Sequence, residues 1–438
     1  MSSQSSTPTT THKPYLASIE SQRFSIIKIL LLGLGYFGIS ALWATYNAFV
    51  PIFLANKYQL APAVIGFFMA LDNVAALFIQ PAVGPWSDRM RSPLGRRMPF
   101  LLVGAPIAAA AFGVIPFVAI LPLFIACSIT LLLSMAFWRT PFTALIADVT
   151  PSPYRSQANG IINAIGVLGA MLAFLGGAAL YKLNPAYPFW SSAGFVLLAL
   201  LFILIFIKEP RIYGEETGQP GLLSSLRAIL RDADRSTLRL LLAIFCWFVS
   251  NNTIDAFLSL YAVNHLKMGE TAGARLLGLF TISYVFFAVP AGFFGSRFGR
   301  RTTILTGIAV MGLCGLVMYL LPASTLTIGT AKLPVLGLVP VIGLVLLVSG
   351  TGWALANVNS LPMVMDSTGN LRVGAYIGLF FLFSTLGAII GPVFNGWIIQ
   401  LSGSDYRVTM LAGPFFLLAA FVLMLGVRRG EAHKNPQS

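Results

Sequence analysis

Residues Gly84 to Phe100 read GPWSDRMRSPLGRRMPF, a short charged bridge between two apolar runs that are each long enough to cross a bilayer. The bridge gathers Asp88, Arg89, Arg91, Arg96 and Arg97 between segments unable to hold them, since a lone charge at bilayer depth costs roughly 2.5 to 3.5 kcal/mol on insertion scales. It therefore lies in water at a membrane face. A weaker copy, GFFGSRFGRR, runs from Gly292 to Arg301. Two bridges at matching places imply a chain built as two similar halves, a common plan of transporters.

Composition fits that reading. The 438 residues are 57% hydrophobic and only 10% charged, with a mean hydropathy of +0.83. Soluble domains carry about 25% charged residues, so the composition points away from a globular enzyme and toward a polytopic protein whose first partner is the lipid bilayer. The formal charge of +14 does not call for a nucleic-acid partner, because the basic residues fall in alternate short loops rather than along one stripe. Cys127, Cys246 and Cys314 each lie inside an apolar run with no metal or redox spacing, and read as packing residues. No metal site and no cofactor is expected. Residues 1–27 begin MSSQSSTPTTTHKP, with no apolar core before Ile26 and no small-residue cleavage site, and read as a disordered tail rather than a signal peptide.

About 20 apolar residues span a bilayer. Runs of that length are expected near 28–54, 62–84, 99–120, 122–147, 157–181, 187–207, 237–260, 274–295, 302–322, 335–362, 373–400 and 408–427, which makes twelve transmembrane helices. The fold class is thus an all-α membrane protein of two pseudo-symmetric six-helix bundles, 28–207 and 237–427, followed by a tail over 428–438. The linker at 208–236 contains LLSSLRAILRDADR, whose helical spacing predicts an amphipathic helix on the membrane surface. With the amino terminus placed in the cytoplasm, 21 of the 28 Lys and Arg fall on that side and 6 on the other, so both termini are expected inside. The short loops suit a bacterial inner membrane.

The halves align by hand. Asn47-Ala48-Phe49 matches Asp255-Ala256-Phe257, Gly84 matches Gly292, and Asp88 matches Ser296, all at one offset of 208. Further on, Asp148 followed by Arg155 resembles Asp366 followed by Arg372.

Twelve spans in two halves, with a G-x-x-x-D-R…G-R-R loop after the second span and a degenerate copy after the eighth, resemble the major facilitator superfamily. The longer form QPAVGPWSDRMRSPLGRRMPF, from Gln80, is similar to that of the sucrose/proton symporters and their bacterial relatives, close to the glycoside-pentoside-hexuronide cation symporters, whose loop also inserts residues between D-R and G-R-R. Supporting stretches are RTPFTALIADVTPSPYRSQANGIINAIG from Arg139, GWALANVNSLPMVMD from Gly352 and NGWII from Asn395. The resemblance implies the superfamily's twelve-helix fold, transport rather than catalysis, and H+ or Na+ as coupling ion. It also implies an inner gate latched by charges at the loop, here Gly84, Asp88, Arg89, Gly95, Arg96, Arg97, Asp148 and Arg155, with Arg297, Arg300, Arg301, Asp366 and Arg372 in the second half. Asp88 is expected to accept hydrogen bonds at a helix N-terminus of the facing half. Solvated surface charge is the competing account of the whole set.

Inside the spans, Asp72 in MALDNVAALF must be protonated, paired or turned to a wet cavity. In a cation-coupled carrier, proton or Na+ binding would neutralise it and release the bundle; alternatively it is a packing acid satisfied by Asn73. Acids in this span join the cation site of the symporters it resembles. Asp255, one turn after Asn251 and matched by Asn47, is the second candidate for coupling. Polar residues at matching points of two repeats suit a central binding site, which makes Asn47 and Asn251 candidates for binding substrate, and interhelical hydrogen bonds are the alternative. Arg139 needs a carboxylate, carbonyls or substrate hydroxyls, and a pair with Asp72 is expected; snorkelling to the membrane face is the competing account, against which it lies about two turns from the helix end. Trp43, Tyr46 and Trp353, with Asn357 one turn beyond Trp353, could stack on a sugar ring and bind its hydroxyls.

The leading expectation is a cation-coupled symporter of a sugar or glycoside, acting as a monomer on a small-molecule solute. A proton-coupled exporter of drugs or sugars is the alternative. The fifth span, GIINAIGVLGAMLAFLGG, lacks the G-P pair of antiporter helices, whereas GAIIGPVFNG in the eleventh has one. A non-transporting receptor is the alternative of another class; the polar segments hold no nucleophile elbow, metal spacing or phosphate loop that would make an enzyme.

Overall fold

In hydrocarbon a backbone N–H or C=O finds a partner only within its own segment, so each long apolar run closes into one helix. The computed structural model describes residues 25–150, 154–209, 235–333, 337–367 and 373–430. Within them twelve helices are long and apolar enough to cross a membrane. In the first half these are α1 (Ile26–Ile52), α2 (Pro62–Arg89), α3 (Met98–Val114), α4 (Leu121–Val149), α5 (Arg155–Leu183) and α6 (Tyr187–Phe206). In the second half they are α7 (Ser236–Asn264), α8 (Thr271–Phe298), α9 (Arg300–Leu320), α10 (Val341–Asp366), α11 (Val373–Leu401) and α12 (Thr409–Leu425).

Helix boundaries follow local chemistry. The Ser25 hydroxyl caps α1 by accepting from the Lys28 N–H at 3.5 Å. Pro62 opens α2 at a position where no N–H is needed. The α3 to α4 break, expected at Leu121-Pro122, comes slightly earlier: a 3-10 turn, Ile115–Phe117, leads into extended Val118. Two expectations are corrected. The tenth span begins at Val341 rather than at 335, because Gly337–Pro340 (β2) pairs antiparallel with Gly329–Leu333 (β1), and extended Pro340 ends the strand and opens the helix. The second span does not stop at Gly84; α2 carries its polar end out to Arg89, so Asp88 and Arg89 sit in a last helical turn. The tail expected over 1–27 is shorter at its end, because the Ser25 cap starts α1 at Ile26; its residues 1–24, and residues 222–234 of the expected amphipathic helix, lie outside the described residues.

Packing repeats between the halves. In the first, α1 packs on α5 and α6, α3 on α4 and α6, and α2 on α4; in the second, α7 packs on α11 and α12, α9 on α10 and α12, and α8 on α10. The halves join mainly through α2 with α11 and, symmetrically, α5 with α8. Twelve crossings return the chain to the face from which it starts, called here the terminal face; the other is the far face. Near the far face the junction is tight: a Cβ on Gly66 would fall 2.1 Å from the Pro392 carbonyl oxygen, and one on Gly396 would fall 2.4 Å from that of Pro62. Toward the terminal face the same helices lose their cover. On α2, Ile65 and Phe68 are buried whereas Phe78 is 71% exposed; on α8, Leu276 and Leu277 are buried whereas Phe286 and Phe293 are exposed. The two bundles are closed at the far face and apart toward the terminal face.

Candidate functional site

Between the halves lies a cavity of about 380 Å³. From α1 it is bordered by Tyr36, Ser40, Trp43 and Asn47, whose spacings of four, three and four put them on one helix face. Arg139 enters from α4 and Asn163 from α5. The second half contributes Asn251 and Asp255, one turn apart on α7, with Thr281 and Tyr284 from α8 and Trp353 from α10. Glycine and alanine fill the spaces between them: a Cβ on Gly166 would come within 3.2 Å of Ser40 Oγ.

Two of these groups are ionic. Among the described residues, neither the Asp255 carboxylate nor the Arg139 guanidinium has a hydrogen bond or an ion pair. One belongs to each half, and each borders open space. The aromatic borders are fixed by their neighbours. Trp43 meets the Tyr46 ring edge-on at 5.5 Å, and Trp353 meets Phe248 at 5.3 Å. The Trp43 indole N–H and the Tyr46 hydroxyl are buried without a protein partner. Tyr284 accepts from Asn357 Nδ2 at 3.3 Å, and Tyr36 shares a 3.2 Å hydrogen bond with Thr143, whose hydroxyl in turn donates to the Arg139 carbonyl at 3.0 Å.

The expected site residues divide accordingly. Trp43, Asn47, Arg139, Asn251, Asp255 and Trp353 border the cavity. Tyr46 does not; it turns into the core and is 1% exposed. Asn357 reaches the cavity only through Tyr284. Asp72 is half-buried on α2 outside the cavity border, and no ion pair joins it to Arg139. Its Oδ1 accepts from Asn73 Nδ2 at 2.7 Å, so the adjacent side chain supplies the partner that an arginine from another helix was expected to bring. Arg139 is left as a wall of the cavity. Sequence reasoning passed over Tyr36, Ser40, Asn163 and Thr281. The helical register of Tyr36 and Ser40 with Trp43 was the available signal for two of them; Asn163 shares its run with Asn159 and Thr281 with Ser283, and nothing in those runs singles either out.

The charged loop forms a separate network at the terminal face. Arg96 Nη2 lies 2.7 Å from Asp148 Oδ1, and Arg97 Nε donates to Asp148 Oδ2 at 3.1 Å. Arg97 also pairs with Asp88 and donates to the Ser87 hydroxyl. Asp88 was expected at a helix end of the facing half; it is held instead by its own half, since the halves stand apart at this face. Glu209, which follows α6, completes the network. Its carboxylate accepts from the backbone N–H of Arg96 at 3.0 Å and of Arg97 at 2.9 Å, and its side chain is 1% exposed. Burial pushes this carboxyl above the ordinary glutamate value, against the pull of the Arg97, Arg96 and Met98 N–H groups, and the Asp148 carboxylate adds to the rise. Gly95 makes the approach possible: its φ is +113°, and a Cβ there would lie 2.2 Å from Glu209 Oε2.

The second half has a reduced copy. Arg300 pairs with Asp366 and donates to the Pro362 carbonyl at 3.1 Å, while Arg301 donates to the carbonyls of Met424 and Leu425. Arg297 lies 5.6 Å from the Phe298 ring centre, and Arg89 is exposed. Gly84 and Gly292 are not tight: a Cβ would meet only Thr140 at 3.8 Å or Val358 at 3.9 Å. The Arg155 side chain and all of Arg372 lie outside the described residues.

Comparison with known proteins agrees with this architecture. The sequence model of the Major Facilitator Superfamily matches residues 32–279 and 270–438. The chain is 24% identical to Multidrug resistance protein 1 of Bacillus subtilis, covering 87% of this chain and 90% of that protein. It is 25% identical to the class G tetracycline resistance protein of Vibrio anguillarum, covering 89% and 98%, and 25% identical to Sucrose transport protein SUC3 of Arabidopsis thaliana, covering 43% and 36%. Among solved structures, a mutant of the nucleoside transporter NupG superposes with a TM-score of 0.71 at 16% identity, over 92% of this chain and all of that one. A bacterial homologue of the lysosomal transporter Spinster, inward-facing and occupied, superposes with a TM-score of 0.71 at 15% identity, over 94% and 97%.

Proposed function

The chain belongs to the Major Facilitator Superfamily, and from that premise we propose that it is a secondary active transporter of a sugar or glycoside, coupled to H+ or Na+ and working by alternating access. The observation that carries this reading is the cavity between the halves, where Asp255 from one half and Arg139 from the other border the same space with no protein partner. A carboxylate, a guanidinium and the amides of Asn47, Asn163 and Asn251 offer the donors and acceptors that a polyhydroxylated solute requires. Trp43 and Trp353 offer faces for the apolar side of a sugar ring. A solute bound there touches both halves and so favours their closing around it.

Coupling is assigned to Asp72 and Asp255, with Arg139 as the neighbouring cation. A coupling ion that neutralises an intramembrane acid lowers the cost of carrying it through the occluded state. The names of the sucrose and nucleoside transporters among the similar proteins support a solute that contains a sugar. The protein is taken to work as a monomer in a bacterial inner membrane, with its terminal face cytoplasmic, as the Lys and Arg bias indicates.

Export is a second reading, favoured by the names of the two resistance proteins and by the Gly391-Pro392 pair in α11. Uptake of labelled sugars, glycosides and nucleosides into proteoliposomes under an imposed H+ or Na+ gradient separates the two. Accumulation that requires an inward gradient supports symport. Gradient-driven expulsion of the solute supports export, and absence of flux with every solute in either direction removes the transport reading.

A further inference from the structure

The far face carries a second cavity, of about 300 Å³, at the seam between the halves. Lys182, at the end of α5, and Arg275, in the second turn of α8, both border it, and α5 with α8 is one of the two helix pairs that join the halves. Both cations are exposed, and among the described residues neither has a hydrogen bond or an ion pair. Two other cations of this face are engaged. Lys57 Nζ donates to the Pro116 carbonyl at 3.2 Å, and Arg407 donates to the Tyr319 carbonyl at 2.8 Å while lying 4.6 Å from that ring's centre. The nearby carboxylate, Glu270, is committed to Asn56 at 3.0 Å and Tyr181 at 2.9 Å. Two like charges from opposite halves thus share one cavity without a counter-ion from the protein.

Apart from Thr271, the rest of the border is apolar. Leu276, Leu279, Leu338 and Val339 supply it, and Leu338 is 64% exposed. Leu276, Leu279 and Val339 are buried and form the wall, so Leu338 is the apolar side chain open to an occupant. A soluble anion would use the charges and leave Leu338 in water, whereas an anionic amphiphile uses both. We propose that this cavity binds an anionic phospholipid, its phosphate between Lys182 and Arg275 and its acyl chain along Leu338. Because the two cations belong to different halves, the headgroup ties α5 to α8 where the bundles are already closed, and bound lipid favours this conformation over one open at the far face. The inference does not depend on the identity of the transported solute.

The test is lipid retention by the purified full-length chain in native mass spectrometry, titrated with dioleoyl phosphatidylglycerol, dioleoyl phosphatidylcholine or inorganic phosphate. Wild type should retain phosphatidylglycerol in preference to phosphatidylcholine. Lys182→Gln and Arg275→Gln should each weaken that retention about fivefold, and the pair about 25-fold, as expected for two surface cations acting on one headgroup. Leu338→Gln should weaken it with both cations in place, and lipid-free melting temperatures should stay at the wild-type value in all of these variants. Wild-type retention in the double variant overturns the site, and loss confined to one of the two cations overturns the bridge between halves. Inorganic phosphate displacing phosphatidylglycerol at equal concentration overturns the lipid as occupant.

Discussion

Glu209 stands where α6 leaves its bundle, and a buried carboxylate of this kind is retained only with its donors in place. Glu209→Ala would strip the partners from two backbone N–H groups and leave Arg96 and Arg97 with less counter-charge, a loss of about 3 kcal/mol. A lower melting temperature in detergent should report it, with Glu209→Gln falling between wild type and alanine because the amide oxygen still accepts. Its pKa is raised on folding, so the folded protein holds this proton more tightly than the unfolded chain does. The contribution of this group to stability is therefore greatest at low pH and declines as pH rises through the folded pKa, above the ordinary value of 4.5. Melting measured against pH should lose that part of its slope in Glu209→Gln; an unchanged slope would show that Glu209 does not titrate in this way. Within the membrane, Asp72→Asn is expected to abolish gradient-driven accumulation while sparing equilibrium exchange, and undiminished accumulation would remove Asp72 from coupling. The same substitution at Asp255, which borders the cavity, should also weaken solute binding. That double effect, read by scintillation proximity binding beside flux, distinguishes an acid at the solute from an acid behind it.

At the level of helices, α2 and α11 cross near the far face with backbone against backbone, at Gly66 on Pro392 and Gly396 on Pro62. A side chain there wedges the crossing apart, so Gly66→Val should cost about 1 to 3 kcal/mol in this conformation and little in one open at the far face. Cysteine introduced at Asn251 should then react faster with an impermeant maleimide applied from the far face; an unchanged rate would mean that the crossing is not what closes that face. The helices themselves were legible in the sequence, because an apolar run of about 20 residues has one way to satisfy its backbone in lipid. The hairpin of β1 and β2 was not, since GTAKLPVLGLVP reads by hydropathy as the start of a span, and only its pairing at the membrane edge makes it a strand. The π-helical turn Phe53–Lys57, which ends α1 and carries Asn56 to the far face, left no sequence signal either. The cavity was partly legible, for a physical reason. Repeat-matched polar residues such as Asn47 and Asp255 are drawn to the pseudo-symmetry axis, whereas the partner of Asp72 was decided by its neighbour Asn73, and Glu209 by a loop folding back across more than a hundred residues.

Across the whole molecule, polar contacts are distributed unequally between the two faces. Among the described residues, the ion pairs of Arg96, Arg97 and Arg300 at the terminal face each stay within one half. At the far face three hydrogen bonds cross: Glu270 of the second half accepts from Asn56 and Tyr181 of the first, and Gln400 accepts from the Ala63 N–H at 3.3 Å. Three such bonds are worth about 1 kcal/mol each, which is large enough to hold one conformation and small enough for a bound solute or ion to reverse. If the halves rock about the central cavity, this latch must open once in every cycle. Joining the halves there should stop transport without disturbing either bundle. With Cys127 replaced by Ser, and Asn56→Cys and Glu270→Cys introduced, a short cleavable bis-maleimide should abolish flux in proteoliposomes, and cleaving the linker should restore it. The solute should still bind from the terminal face in the linked protein, because the cavity lies on the open side of the join. Flux that persists at the unlinked rate after complete cross-linking would mean that the far face need not open, and with it alternating access between these two bundles would fail.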